Sequence, residues 1–97
     1  MADWLYAVVD VSDNSTTVYA DPCRLRGIIV ETGLSAHACP VKDGSTTVGN
    51  IPASAVVGQW FDFFDMRMET SLVIDPNDSG TGSLTVVYSP IHSGESV

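Results

Sequence analysis

Residues 66–88 read Met-Arg-Met-Glu-Thr-Ser-Leu-Val-Ile-Asp-Pro-Asn-Asp-Ser-Gly-Thr-Gly-Ser-Leu-Thr-Val-Val-Tyr. Met66, Met68, Thr70, Leu72 and Ile74 fall on every second position, and Leu84, Val86 and Tyr88 do the same after a loop of turn formers. Successive side chains of a strand point to opposite faces, so this period of two describes half-buried β-strands rather than helix. Pairing the two runs with i + j of 156 sets Leu72 against Leu84 and Met68 against Tyr88, apolar with apolar.

The same reading extends outward in both directions. Strands are expected at Trp4–Val11, Thr16–Ala20, Cys23–Glu31, Ser35–Lys42, Thr46–Ile51, Gln59–Phe64, Met66–Ile74 and Leu84–Tyr88. Turn clusters such as Ser12-Asp13-Asn14-Ser15 separate them. Pairing about that cluster sets Val9 on Val18 and Ala7 on Ala20, and a turn at Thr32-Gly33-Leu34 gives strand partners with i + j near 67. The apolar parity of the third strand switches at Gly27, which predicts a bulge there. Asp43-Gly44 predicts a type I′ hairpin, whose two central residues both need positive φ. The fold expected is a small antiparallel β-sandwich or jelly roll of seven or eight short strands, with at most one helical turn, near Pro52–Val57. Residues 1–88 form one domain and 89–97 a polar tail. Leu72, Ile74, Leu84, Val86, Val9, Ile29 and Val30 are expected in the core.

Composition supports this class. Val, Ile and Thr total 26 residues, whereas Glu, Lys, Arg and Gln, which build helix surfaces, total 8. The 97 residues carry a net charge of −8, with 16% charged. Nucleic-acid binding and attachment to an anionic membrane both need a basic footprint, so neither partner is expected. Met1-Ala2-Asp3 lacks a basic segment and Trp4–Val9 is too short for a leader core, so synthesis in a cytoplasm is expected. Cys23 and Cys39 are too few for a disulfide framework and read as reduced, buried small hydrophobes.

Chemistry-bearing motifs are sparse. Asp75-Pro76-Asn77-Asp78-Ser79-Gly80 matches the first half of a calcium loop, but position 12 of that loop is Val86 instead of the bidentate glutamate. It reads as a hairpin loop, without a tight metal site. His37 beside Cys39 supplies two possible ligands where zinc wants four, and reads as an ordinary strand residue; His92 falls in the tail. Asp62 and Asp65 are three apart in an extended segment, so they are expected on opposite faces rather than as an acid/base pair. No nucleophile motif or phosphate loop is present. No catalytic residue, cofactor or metal is expected, and the chain does not read as an enzyme. Trp60-Phe61-Asp62-Phe63-Phe64 is the most informative stretch. Alternation sends Trp60, Asp62 and Phe64 one way and Phe61 and Phe63 the other, so a strand with one core face displays aromatics beside carboxylates on the other. A strand buried on both faces reads the same way; the other reading is a partner or oligomer surface, since aromatics anchor interfaces. Trp4, Trp60, Phe61, Phe63 and Ile91 are therefore the candidate partner-interface residues, with the Trp4 end and the 89–97 tail lying against another chain.

From Arg24 to Pro90 the chain resembles a group of small tailed-bacteriophage virion proteins. The matching stretches are RLRGIIVETGLSAHACPVKDGSTTVGNIPASAVVGQWFDF and MRMETSLVIDPNDSGTGSLTVVYSP. The shared pattern is a strand of form R-x-x-G-I-x-V-x-T-G, a V-K-D-G-S turn, an aromatic strand, and a long hairpin closing on G-S-L-T-V-V-Y. The resemblance implies a non-enzymatic β-sandwich, a capsid cement or decoration protein on the outer surface of the assembled major capsid protein lattice. It would act as a homo-oligomeric trimer or dimer that stabilises the head. The alternative it implies is a phage tail or fibre adhesion module binding a cell-surface glycan, with Trp60 and the Asp75 loop as platform and ion site.

Overall fold

The computed structural model describes residues 4–12, 15–76 and 80–91. Among the described residues eight strands are arranged in two four-stranded antiparallel sheets: β1 (Leu5–Asp10), β2 (Thr16–Tyr19), β3 (Cys23–Thr32), β4 (Cys39–Asp43), β5 (Thr46–Ile51), β6 (Trp60–Met68), β7 (Leu72–Ile74) and β8 (Ser83–Pro90). One sheet has the order β1-β8-β3-β6 and the other β2-β7-β4-β5. No described residue is helical, and the Pro52–Val57 link makes two turns instead of a helical one. The all-β sandwich expected from the period-two patterning is what the chain forms.

The core lies between the inner faces. Val9, Ile28, Val30, Leu84 and Val86 enter it from one sheet, and Val41, Ile51, Leu72 and Ile74 from the other, each at 2% exposure or less. Fully burying one such side chain contributes about 1.5–3 kcal/mol. Tyr19 and Tyr88 meet across the sheets with ring centroids 5.7 Å apart. Cys23 and Cys39 are free and buried. Ile29 departs from the expected core. It sits between inward Ile28 and Val30, so alternation turns it to the outer face, where it is half-buried.

Pairing differs more than patterning. β1 pairs with β8, Val9 opposite Leu84, and β2 pairs with β7, so the expected Val9–Val18 hairpin does not form. β3 pairs with β6 and β8 but not β4, and Leu72 and Leu84 lie in opposite sheets rather than side by side. All but one of the connections cross from one sheet to the other, and only β4–β5 is a hairpin between sequence neighbours. An arch between sheets and a hairpin within one both keep the same residues facing the core, so alternation cannot choose between them. The β4–β5 turn has Gly44 and Ser45 at its centre, because Asp43 pairs with Thr46. Only Gly44 has positive φ (61°), which departs from the type I′ expectation.

The run Met66–Ile74 is not one strand. β6 continues to Met68, the chain corners at 69–71, and β7 resumes in the other sheet. The Asp43 carboxylate accepts hydrogen bonds from the amides of Glu69 (2.8 Å), Thr70 (2.8 Å) and Ser71 (3.3 Å), which ties this corner to the end of β4. Thr70 is consequently exposed. His37 lies in the segment before β4 rather than in a strand. At the other end β8 runs through Ser89 and Pro90, both buried, past the expected start of the tail.

Candidate interaction face

The β1-β8-β3-β6 sheet has an outer face built from the residues that alternate with its core positions. Cross-strand register places Tyr6, Val87, Gly27 and Asp62 in one row, and Val8, Thr85, Ile29 and Trp60 in the next. Tyr6 is 73% exposed, Val8 60% and Trp60 44%. Gly27 is required by space and not by backbone conformation. It lacks positive φ, yet a Cβ there would lie 2.2 Å from Cζ2 of Trp60 and 2.8 Å from the carbonyl oxygen of Phe61. The indole therefore rests on bare backbone. The predicted irregularity at Gly27 is present, since the register of β3 shifts between Leu25 and Gly27 against both neighbours.

Opposite that shift, β6 carries a bulge. Leu25 pairs with Met66 and Gly27 with Asp62, so Phe63, Phe64 and Asp65 stand against Arg26 alone. Phe64 and Asp65 both have φ of 57°. A left-handed conformation at a bulky residue costs about 1–2 kcal/mol and persists only where the surroundings hold it. Here the Phe64 amide donates to the Asp62 carboxylate at 2.8 Å. The Asp65 carboxylate accepts from Arg26 Nε at 3.0 Å. The Arg26 guanidinium lies 3.7 Å from the centre of the Trp4 ring. The result is an aromatic residue, Phe64, held out at 84% exposure. Asp62 and Asp65 each serve one structural contact, and the bulge interrupts the alternation on which the opposite-face expectation rested.

Of the candidate interface residues, Trp60 lies on the outer face, and half-buried Trp4 stacks on Arg26. Phe61 and Phe63 are turned inward and pack partly buried against the core. The Phe63 ring also covers Gly49 of β5, where a Cβ would approach its Cε2 to 2.6 Å. Ile91 is half-buried, its amide donating to the Pro22 carbonyl at 3.2 Å. Residues 92–97, including His92, lie outside the described residues. Tyr6, Val8 and Phe64 belong with Trp60 and are absent from the sequence-derived set. Leu5–Val9 is apolar throughout and carries no polar marker to show which side faces out. Phe64 was readable as outward, but its exposure depends on the bulge.

The opposite sheet presents a different outer face, where Thr17, Val73, Lys42 and Thr47 form the equivalent row. Lys42 pairs with Asp75 at 2.7 Å, so the first carboxylate of the calcium-like motif already has a cation partner. Asn77–Ser79 of that motif lie outside the described residues. Among the described residues no three His, Cys, Asp or Glu side chains gather to hold a metal. No described helix is long and apolar enough to cross a membrane. Burial raises the Cys23 thiol to about 11, with the nearby Asp43 charge adding to it, and burial likewise raises Cys39. Neither thiol is poised as a nucleophile. No protein-family model, curated protein or solved structure gives a significant match to this chain.

Proposed function

We propose that this chain is a non-enzymatic virion structural protein of the capsid cement kind, which binds the exterior of the assembled major capsid protein lattice and stabilises the head. The observation that carries the reading is the contrast between its two outer faces. One presents a single apolar residue in its row, Val73, among Thr17, Lys42 and Thr47, and the other Tyr6, Val8, Ile29, Trp60 and, at its edge, Phe64. An aromatic and β-branched sheet face left in water is the composition of an interface core. The phage-like strand and turn pattern from Arg24 to Pro90 supplies the class of partner. A net charge of −8 suits a site outside the shell, away from packaged DNA. Repetition over a lattice turns modest single contacts into firm attachment, and a homo-oligomer would add to it.

A specific feature favours a second reading, the tail or fibre adhesion module. The six-membered ring of Trp60 covers Gly27 and remains part-exposed on the sheet face, as an aromatic platform for a sugar ring requires. Rebinding of the purified protein to heads stripped of it separates the two. Cement predicts many tens of copies per particle, lost in Tyr6→Ser and Phe64→Ser, variants that remove exposed side chains and leave the core alone. A handful of copies at the tail, with glycan binding lost in Trp60→Ala, favours adhesion. No association with particles and no glycan binding refutes both.

A further inference from the structure

A sandwich of two open sheets has four edges, and three of these are blunted. Edge strand β6 carries the Phe63–Asp65 bulge, β2 has a register irregularity between Thr17 and Tyr19, and β5 has one opposite the Val41–Lys42 step. Bulges of this kind keep edges from recruiting further strands. The fourth edge, β1, pairs with β8 over six residues without a shift and contains neither proline nor charge before Asp10. Among the described residues nothing pairs with its other side.

The direction of its free groups follows from one bond. Val11 donates its amide to the Gly82 carbonyl at 3.1 Å. Antiparallel bonding alternates, so Leu5, Ala7 and Val9 also turn their N–H and C=O groups toward β8, while Tyr6, Val8 and Asp10 turn theirs to the open edge. We propose that β1 is a homodimerisation edge, pairing antiparallel with β1 of a second copy about a two-fold axis at Ala7. In that register Tyr6 faces Val8 of the second copy, Trp4 faces its Asp10, and Ala7 faces Ala7. Residues of equal parity meet, so outer face joins outer face. The pairing uses the whole strand and is self-complementary, as an isologous contact must be. The two Asp10 carboxylates sit at opposite ends of the ladder, about 20 Å apart at ~3.4 Å per residue. That is beyond the ~8 Å screening length, so the two Asp10 charges do not oppose this contact. The product is one continuous eight-stranded sheet whose aromatic face is twice that of a single copy.

This inference specifies the homo-oligomer in the reading above and rests on that part of it, but needs no capsid. Sedimentation of the isolated protein at tens of micromolar tests it, so a failure here leaves the fate of the particle-rebinding experiment open. The parent should sediment at twice 10.3 kDa. Val8→Pro removes an edge-facing donor at a position where an edge strand tolerates proline, and should sediment as a monomer whose thermal midpoint does not change with protein concentration and equals that of the parent diluted until it dissociates. In Ala7→Cys, the axis pair of a non-hydrogen-bonded site lies within disulfide reach. Oxidation with copper phenanthroline, dissolved oxygen accepting the two electrons, should give a covalent dimer through position 7 while the buried native thiols stay reduced. A monomeric parent, a Val8→Pro variant that remains dimeric, or an Ala7→Cys variant that does not cross-link overturns the proposal.

Discussion

Replacing Gly27 by alanine tests whether the outer face is a built surface or a set of idle side chains. The added Cβ meets Cζ2 of Trp60 at 2.2 Å and the Phe61 carbonyl at 2.8 Å, so the indole must leave its seat and the backbone must give. Trp60 is 44% exposed. Taking ~250 Å² for a whole aromatic, about 140 Å² of it is covered. At ~25 cal/mol/Å² that cover contributes about 3.5 kcal/mol, of which a ring swung aside loses about half. The backbone shift adds about 1 kcal/mol, and the lower chain entropy of alanine returns about 0.5 kcal/mol. The expected cost is therefore about 2–3 kcal/mol, or about 10–20 °C in Tm for a domain of this size. Urea denaturation measures it, followed by fluorescence in a Trp4→Phe background so that Trp60 alone reports. Its emission should shift to the red in Gly27→Ala. Because the cost is assigned mainly to the indole, the cycle with Trp60→Val should return a coupling energy of about 1–2 kcal/mol. Loss below about 0.5 kcal/mol with unshifted emission, or a coupling near zero, refutes the seating of Trp60 on Gly27.

Asp43→Ala should cost about 2 kcal/mol, the worth of a carboxylate that organises a corner through backbone amides. Burial pushes the Asp43 carboxyl up, but the Glu69, Thr70 and Ser71 amides together hold it below its ordinary 3.8. Its contribution is thus complete above about 3.8 and lost as pH falls through the lower folded value, and an acid titration of stability should lose that segment in the variant. Phe64→Gly removes a left-handed phenylalanine and should raise stability by about 1 kcal/mol while weakening attachment to the partner, read by thermal melting and particle rebinding. Cys23 and Cys39 should resist a thiol reagent at pH 8 in the folded protein and react together on unfolding. Because burial raises the Cys23 thiol to about 11, its contribution to stability is complete below the ordinary thiol value of 9.0 and declines between 9.0 and 11. Fast labelling of either thiol in the native state would contradict the burial assigned to them.

The sequence by itself determined the class of fold and most of the core. Alternation at Leu72, Ile74, Leu84 and Val86 needs no partner to be read, because inward and outward follow from the pleat of a single strand. The break in parity at Gly27, the inertness of two buried cysteines and the two-sidedness of Trp60–Phe64 were local for the same reason. Only the tertiary structure decided which strands are neighbours. Val9 packs the same core whether it pairs with Val18 or with Leu84, so hydrophobic burial is nearly indifferent to the choice, and connections between the sheets won wherever no tight turn dictated a hairpin. Asp43, whose carboxylate gathers three amides from residues 26–28 positions away, shows the same limit. The interaction face depended on that choice. Tyr6 and Val8 lie on a β1 that is apolar on both sides, and they came to share a sheet face with Trp60 only when β8 and β3 were laid between them. The register of a sheet is a long-range property, set by which inner faces can be covered together, and no single strand records it.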